Sequence, residues 1–272
     1  MAAKQILLIT GGNTGLGYEA VKALMQSSTP YEILMGSRSV DKGEQAVAKL
    51  KQEVPQSPST TTVVQADISS DSSIEKLVDT IKSKFAKLDI LINNAGASFD
   101  GEIQSGRMSI REAWNSSWDT NVAGTQVLTT SVMPLLFASS NPRLMFMTSG
   151  TSSLIETEEL EKMPIARLNA APGAGWPKAD LVNPVTCYRS TKTGLNMLFR
   201  EWVKILRNDH VKVWAISPGF LATNLAGVGA EQLRKMGAQD PSIGGNFIKD
   251  VVEGKHDRDV GKIIRSTMVQ PY

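Results

Sequence analysis

The chain has 272 residues, 41% hydrophobic and 21% charged, enough for one large α/β domain or two small ones with a sizeable core. Its 29 basic and 27 acidic residues leave a formal charge of +2, which gives no electrostatic case for nucleic acid or an anionic membrane as partner. One cysteine, Cys187, excludes an intramolecular disulfide, and His210 and His256 have no Cys or carboxylate spacing that reads as a metal site.

In chain order, the opening MAAKQILLIT carries an apolar run too short to span a membrane and no cleavage signature, so a cytoplasmic protein is expected. Asn115-Ser116-Ser117 matches a glycosylation acceptor, a chance match in that setting. Short apolar runs then alternate with longer amphipathic segments, the pattern of repeated βαβ units and a parallel sheet. Strands are predicted near 5–9 (QILLI), 31–36 (YEILMG), 61–66 (TTTVVQ), 88–93 (LDILIN), 143–148 (RLMFMT) and 211–216 (VKVWAI), with a last one near 261–265. Helical patterns cover about 15–26, 41–53, 71–86, 121–137 and 188–207. The third opens on Asp71-Ser72-Ser73 and places Ile74, Leu77, Val78, Ile81 and Phe85 on one stripe, a capped amphipathic helix.

The loop at 55–62 (PQSPSTTT) is a polar connector with no sign of a domain boundary. Residues 150–186 break the rhythm: ETEELEKMPIARL reads as a short helix and APGAGWPKADLVNP as turns. A segment this long between core elements reads as functional or as a lid. The expected architecture is one α/β domain, a doubly wound parallel sheet with a decorated rim.

Residues 10–17 read TGGNTGLG, directly after the first strand and leading into the first helix. Such a turn lets backbone amides approach a diphosphate and aims the helix N-terminus at its charge. The bare alternative is a tight turn. About 20 positions further on, where a carboxylate would grip the ribose 2′-hydroxyl of NAD, stand Ser37 and Arg38. Arg38 can pair with a 2′-phosphate that Ser37 also bonds, which favours NADP(H); the alternative is a solvated strand-end cation.

CYRSTK at 187–192 sets Tyr188 four residues before Lys192, one helical turn, so a cation lies beside a phenol. The same spacing recurs at Tyr18 and Lys22, so spacing alone does not distinguish a tuned acid from a solvated surface pair. Tyr18 adjoins the glycine turn, with Lys22 one turn further, on the outer face of the first helix.

Together, and in this order, these residues resemble the short-chain dehydrogenase/reductase family, over nearly the whole chain. After TGGNTGLG come Asp67 ending the third strand, NNAG (Asn93 to Gly96) ending the fourth, Asn121 in NVAG, Ser149 after the fifth strand, Tyr188 with Lys192, and PGFLAT (Pro218 to Thr223) after the sixth. The resemblance implies a single-domain Rossmann fold with an insertion between Ser149 and Tyr188. It assigns to NADP(H) Gly11, Asn13, Thr14, Gly15, Leu16, Gly17, Ser37, Arg38, Asp67, Ile68, Asn93, Ala95, Gly96, Pro218, Gly219 and Thr223, along with Tyr188 and Lys192. It makes Tyr188 the general acid and base, and Lys192 the ribose ligand whose charge lowers the phenol's pKa. Ser149 holds the substrate oxygen, and Asn121 seats a water linking Lys192 to solvent. No metal is implied.

Two departures stand out. Ser149 and Tyr188 lie 39 residues apart, a wider gap than the family's usual one. A similar insertion in carbonyl reductase-like members covers the substrate pocket and blocks tetramer contacts, so a monomer or dimer is expected here rather than a tetramer. Ser149 also sits in MTSGTSS, making Ser152 and Ser153 rivals for its role. Residues 225–258 are expected to form a lid on the substrate side. Phe99, Trp176, Phe220, Leu221 and Leu225 are candidate pocket residues, which implies an aromatic or alicyclic carbonyl or alcohol substrate. The alternatives are an NAD-dependent alcohol dehydrogenase of the same fold and a non-catalytic NADP(H)-binding regulatory protein.

Overall fold

Seven parallel strands lie in the order β3-β2-β1-β4-β5-β6-β7. In a computed structural model, the described residues are 4–163, 165–178, 185–225 and 227–272. The strands are β1 (Gln5–Ile9), β2 (Tyr31–Ser37), β3 (Thr60–Gln65), β4 (Ile90–Asn93), β5 (Arg143–Met147), β6 (Lys212–Ile216) and the two-residue β7 (Ile263–Ile264). β4 and β5 are buried along their whole length, as their unbroken apolar runs require of strands covered on both faces.

The helices are α1 (Gly15–Met25), α2 (Val40–Glu53), α3 (Asp71–Phe85), α4 (Asp100–Gln104), α5 (Ile110–Trp118), α6 (Gly124–Phe137), α7 (Ile165–Asn169), α8 (Thr186–Ile205), α9 (Ala230–Lys235) and α10 (Pro241–Val252). Alternation along β1 divides the core. Ile6 and Leu8 join the layer built with α3, α6 and α8, whereas Leu7 and Ile9 join the layer built with α1, α2 and α10. The sheet is thus doubly wound. Strand order reverses at β1, which pairs with β2 on one side and β4 on the other, and such a reversal opens a crevice at the carboxyl ends of the strands.

Three expectations are corrected. The helix anticipated over 121–137 is α6 preceded by a π-helical turn, Asp119–Ala123, which joins it to α5. Gly124 sits where a Cβ would fall 1.9 Å from the Ile68 carbonyl oxygen, so the chain there has no room for a side chain. Part of the lid expected over 225–258, helix α10, packs into the core instead. Phe247, Ile248, Val251 and Val252 of α10 are buried against α1, and a Cβ on Gly245 would come within 2.5 Å of the Glu19 backbone. Within the insertion, ETEELEKMPIARL forms a 3-10 turn (Ile155–Glu158) and the short α7 rather than one helix. Residues 179–184 of the expected turn region, and 226 of the expected lid, lie outside the described residues.

Candidate active site

The glycine turn lies at the mouth of the crevice. Gly11 and Gly15 take positive φ, +63° and +54°, which L side chains rarely adopt. A Cβ on Gly17 would fall 2.2 Å from the Gly11 carbonyl oxygen, so that turn closes only around a hydrogen. Thr10 and Asn94 clamp it from the β4 side. The Asn94 amide donates to the carbonyls of Thr10 (2.8 Å) and Gly11 (3.2 Å), and Thr10 Oγ1 accepts from the Asn94 and Ala95 backbone amides. Thr14 is the extended N-cap of α1 but its side chain caps nothing, and the first turn holds no acidic residue. By contrast, Ser39, Ser70, Ser109 and Asp240 cap α2, α3, α5 and α10 with their side chains. The α1 amides therefore keep the positive end of the helix for an anion. Thr223 returns from the β6 side to within 3.5 Å of the position a Gly15 Cβ would take. A dinucleotide fits this cradle: bare amides, a first turn of α1 with no acidic residue, and glycines that leave room for close approach.

The neighbouring residues divide by side-chain direction. Arg38 is exposed and forms no ion pair among the described residues. Ser37, in contrast, is buried and its hydroxyl donates to the Ser39 carbonyl (2.7 Å). Asp67 accepts from the Ser69 amide (3.1 Å) and hydroxyl (2.7 Å), holding its own loop. Ile68, Leu16 and Asn93 turn inward. Ile68 is core, Leu16 packs toward α10, and Asn93 donates to Thr129 Oγ1 (3.0 Å). Ala95 and Gly96 pass the glycine turn, and Gly219, after Pro218, needs its φ of +100°.

Asn121, Ser149, Tyr188 and Lys192 are brought together from the π turn, the end of β5 and the first turns of α8. Asn121 is fully buried. Its amide donates to Ala97 O (2.8 Å) and Thr191 Oγ1 (2.9 Å), and its oxygen accepts from Ala97 N (2.8 Å). Lys192 is 4% exposed, donates to Met147 O (2.9 Å) and lies 5.7 Å from the Tyr188 ring centre. A Cβ on Gly96 would lie 3.0 Å from Asn121 Oδ1 and 3.3 Å from Lys192 Nζ, so all three converge on one small space. No carboxylate pairs with Lys192 among the described residues, and burial lowers its ammonium to about 8.

Burial also pushes the Tyr188 phenol up, to about 12, with only the Ser149 hydroxyl pulling the other way. This corrects the expectation of a lowered phenol. Desolvating the phenolate outweighs that one hydrogen bond. The Tyr18–Lys22 pair has a different fate: Lys22 is held by Glu53 (2.7 Å), and burial together with Glu53 raises Tyr18.

The three serines differ in their hydrogen bonds. Ser152 donates to Ser149 O (2.5 Å) and accepts from Asn196 (2.8 Å), while Ser153 bonds Tyr272 O (3.3 Å); both are buried in the frame. Ser149 is half-buried beside Tyr188, its hydroxyl bonded to Thr151 (2.9 Å). Residues that the motifs did not single out brace this segment. Gln270, 1% exposed, donates to Ser149 O (3.2 Å) and accepts from Arg265 (3.0 Å), which is paired with Glu156. Of the expected pocket residues, Phe99 and Phe220 are half-buried, Leu221 packs toward Gly244, Leu225 is exposed and Trp176 is 87% exposed. Trp176 thus faces solvent, against expectation. Among the described residues, no His/Cys/Asp/Glu cluster is arranged to hold a metal, and no helix is long and apolar enough to cross a membrane.

A seven-stranded doubly wound sheet, a glycine turn at its reversal point and a Tyr-Lys pair beside it define a nicotinamide-dependent oxidoreductase. The family model described as short chain dehydrogenase matches residues 5–157, and the chain belongs to that family. It is 46% identical over 278 residues to the short-chain dehydrogenase/reductase eupG of Phoma sp., covering 99% of this chain and 98% of that protein. Similarity to the short-chain dehydrogenase/reductase tropE of Talaromyces stipitatus is 43% over 273 residues, covering 100% and 99%. Among solved structures, an NADPH-bound carbonyl reductase from chicken fatty liver shares the fold, with a TM-score of 0.77, 18% identity and 99% of each chain covered.

Proposed function

We propose that the protein is an NADPH-dependent reductase that converts a ketone or aldehyde to an alcohol, with Tyr188 as proton donor. The observation that carries this reading is the convergence of Tyr188, Ser149, Lys192 and Asn121 next to the glycine cradle, at the carboxyl ends of the strands. A bound reduced nicotinamide supplies the hydride. Ser149 Oγ and Tyr188 Oη donate hydrogen bonds to the substrate carbonyl oxygen, so that negative charge developing there is stabilised as it forms. Tyr188 then gives its proton to that oxygen. A phenol pushed up to about 12 stays protonated at neutral pH, as a donor in the reducing direction must. Lys192, held by the Met147 carbonyl, bonds the nicotinamide ribose in this reading, and Asn121 holds the surrounding backbone.

NADPH rather than NADH is favoured by Arg38, exposed and without an ion pair among the described residues, where a carboxylate would select NAD. The half-buried Phe99 and Phe220 favour an aromatic or alicyclic carbonyl. The insertion favours a monomer or dimer, and we place the enzyme in the cytoplasm. A spectrophotometric screen of carbonyl compounds with each reduced nicotinamide tests the reading. Turnover of ring-bearing ketones or aldehydes with NADPH supports it; binding of NADPH without turnover of any carbonyl overturns it.

A further inference from the structure

Helix α8 delivers Tyr188 and Lys192, yet its own sequence provides no N-cap. Val185 stands at that position, and a valine side chain has nothing with which to accept the amide hydrogens of the first turn. The missing acceptor comes from far away in the chain. Asp100, at the start of α4 and 4% exposed, accepts from Cys187 N through Oδ1 (2.9 Å) and from Tyr188 N through Oδ2 (3.0 Å). These are the second and third residues of the helix, the amides a local Ser or Asp cap would serve. Ser98 Oγ donates to the same carboxylate (3.2 Å).

The other side of the Tyr188 peptide is held as well. Thr191 Oγ1 donates to Tyr188 O (2.9 Å) and accepts from the Asn121 amide (2.9 Å). Asn121 in turn grips Ala97 through both its amide and its oxygen (2.8 Å each), three residues before Asp100. A closed polar ring thus runs from Asn121 to Ala97, along the chain to Asp100, across to Tyr188 N, through Tyr188 O to Thr191, and back to Asn121. The ring fixes the backbone from which the phenol projects, and every member is at least half-buried.

Building on the reading of Tyr188 as proton donor, we infer that Asp100 is a positioning residue: it caps α8 in trans and sets the place of the Tyr188 hydroxyl relative to the substrate oxygen. The carboxylate is suited to this because it accepts two amide hydrogens at once and carries the charge that the positive end of a helix favours. Its effect is expected to fall on the proton-transfer step more than on the dinucleotide, whose glycine turn lies between β1 and α1.

The test compares Asp100→Ala with the isosteric Asp100→Asn, which keeps one acceptor oxygen, each normalised to the concentration of NADPH sites found by fluorescence titration. Misplacement by about an ångström costs on the order of a hundredfold in rate, so Asp100→Ala is expected to lower kcat roughly 10- to 100-fold. NADPH Kd should hold within about twofold, and Asp100→Asn should restore part of the lost rate. Hydrogen exchange at the α8 N-terminus, read by mass spectrometry on the same proteins, should quicken in Asp100→Ala and less so in Asp100→Asn. Unaltered exchange there, or kcat within about twofold of the parent, or a loss of NADPH affinity matching the loss of kcat, overturns the inference. The exchange readout needs no substrate, so it separates this inference from the proposed reaction, whose failure would appear as an active Tyr188→Phe.

Discussion

Replacing Lys192 with Met removes the buried ammonium while keeping most of the side-chain volume, and the structure gives the size of the effect. The lysine is 4% exposed, unpaired with any carboxylate among the described residues, and lowered from 10.5 to about 8. Below about 8 the folded protein must protonate a group that burial disfavours, so the folded state carries a penalty of about 3 kcal/mol near neutral pH. Above that, the folded lysine sheds its proton while the unfolded lysine keeps it up to 10.5. The unfolded state then binds more protons, and stability rises with pH. Between roughly pH 7 and pH 9.5 the gain is about 2 kcal/mol, or ~4 °C in Tm for a chain of this length. Thermal melts of wild type and Lys192→Met across that range, without added nucleotide, isolate this contribution, because other titrating groups are common to both proteins. Wild type should gain on the variant as pH rises. A Tm difference that stays constant across the range would refute a buried, unpaired ammonium.

Gly17→Ala places a methyl 2.2 Å from the Gly11 carbonyl oxygen and 2.6 Å from the Asn94 side-chain amide. A loss of about 1–3 kcal/mol in stability is expected, with weaker NADPH binding, measured by melts and fluorescence titration; wild-type values would mean that the turn is looser than described. Arg38→Ala removes a charge-assisted hydrogen bond to the 2′-phosphate, so KM for NADPH should rise about 10- to 100-fold while that for NADH holds. An equal effect on both cofactors would remove Arg38 from the assignment.

Much of this site was legible in the sequence because its signals are local. The glycine turn declares itself by position after the first strand, and Tyr188–Lys192 by helical spacing within an ordered set of motifs. What separates that pair from Tyr18–Lys22 is tertiary: Glu53 takes Lys22, while Lys192 donates to the Met147 carbonyl and pairs with no carboxylate among the described residues. The choice of Ser149 over Ser152 likewise waits on Asn196, 44 residues from Ser152. Asp100 and Gln270 were not legible at all, since their partners lie 88 and 121 residues away and neither stands in a motif. The only local hint was a valine where α8 needed a cap. That α10 belongs to the core was not legible, because Gly244 and Gly245 lower helix propensity and their use in packing close to α1 and Leu221 appears only once the helices meet.

The central claim is that the phenol of Tyr188 supplies the proton, and single-turnover hydride transfer from NADPH with Tyr188→Phe tests it most directly. The account predicts a fall of about 10²- to 10⁴-fold in that rate, with NADPH affinity unchanged. A rate within a few-fold of wild type would place the proton donor elsewhere and contradict the mechanism.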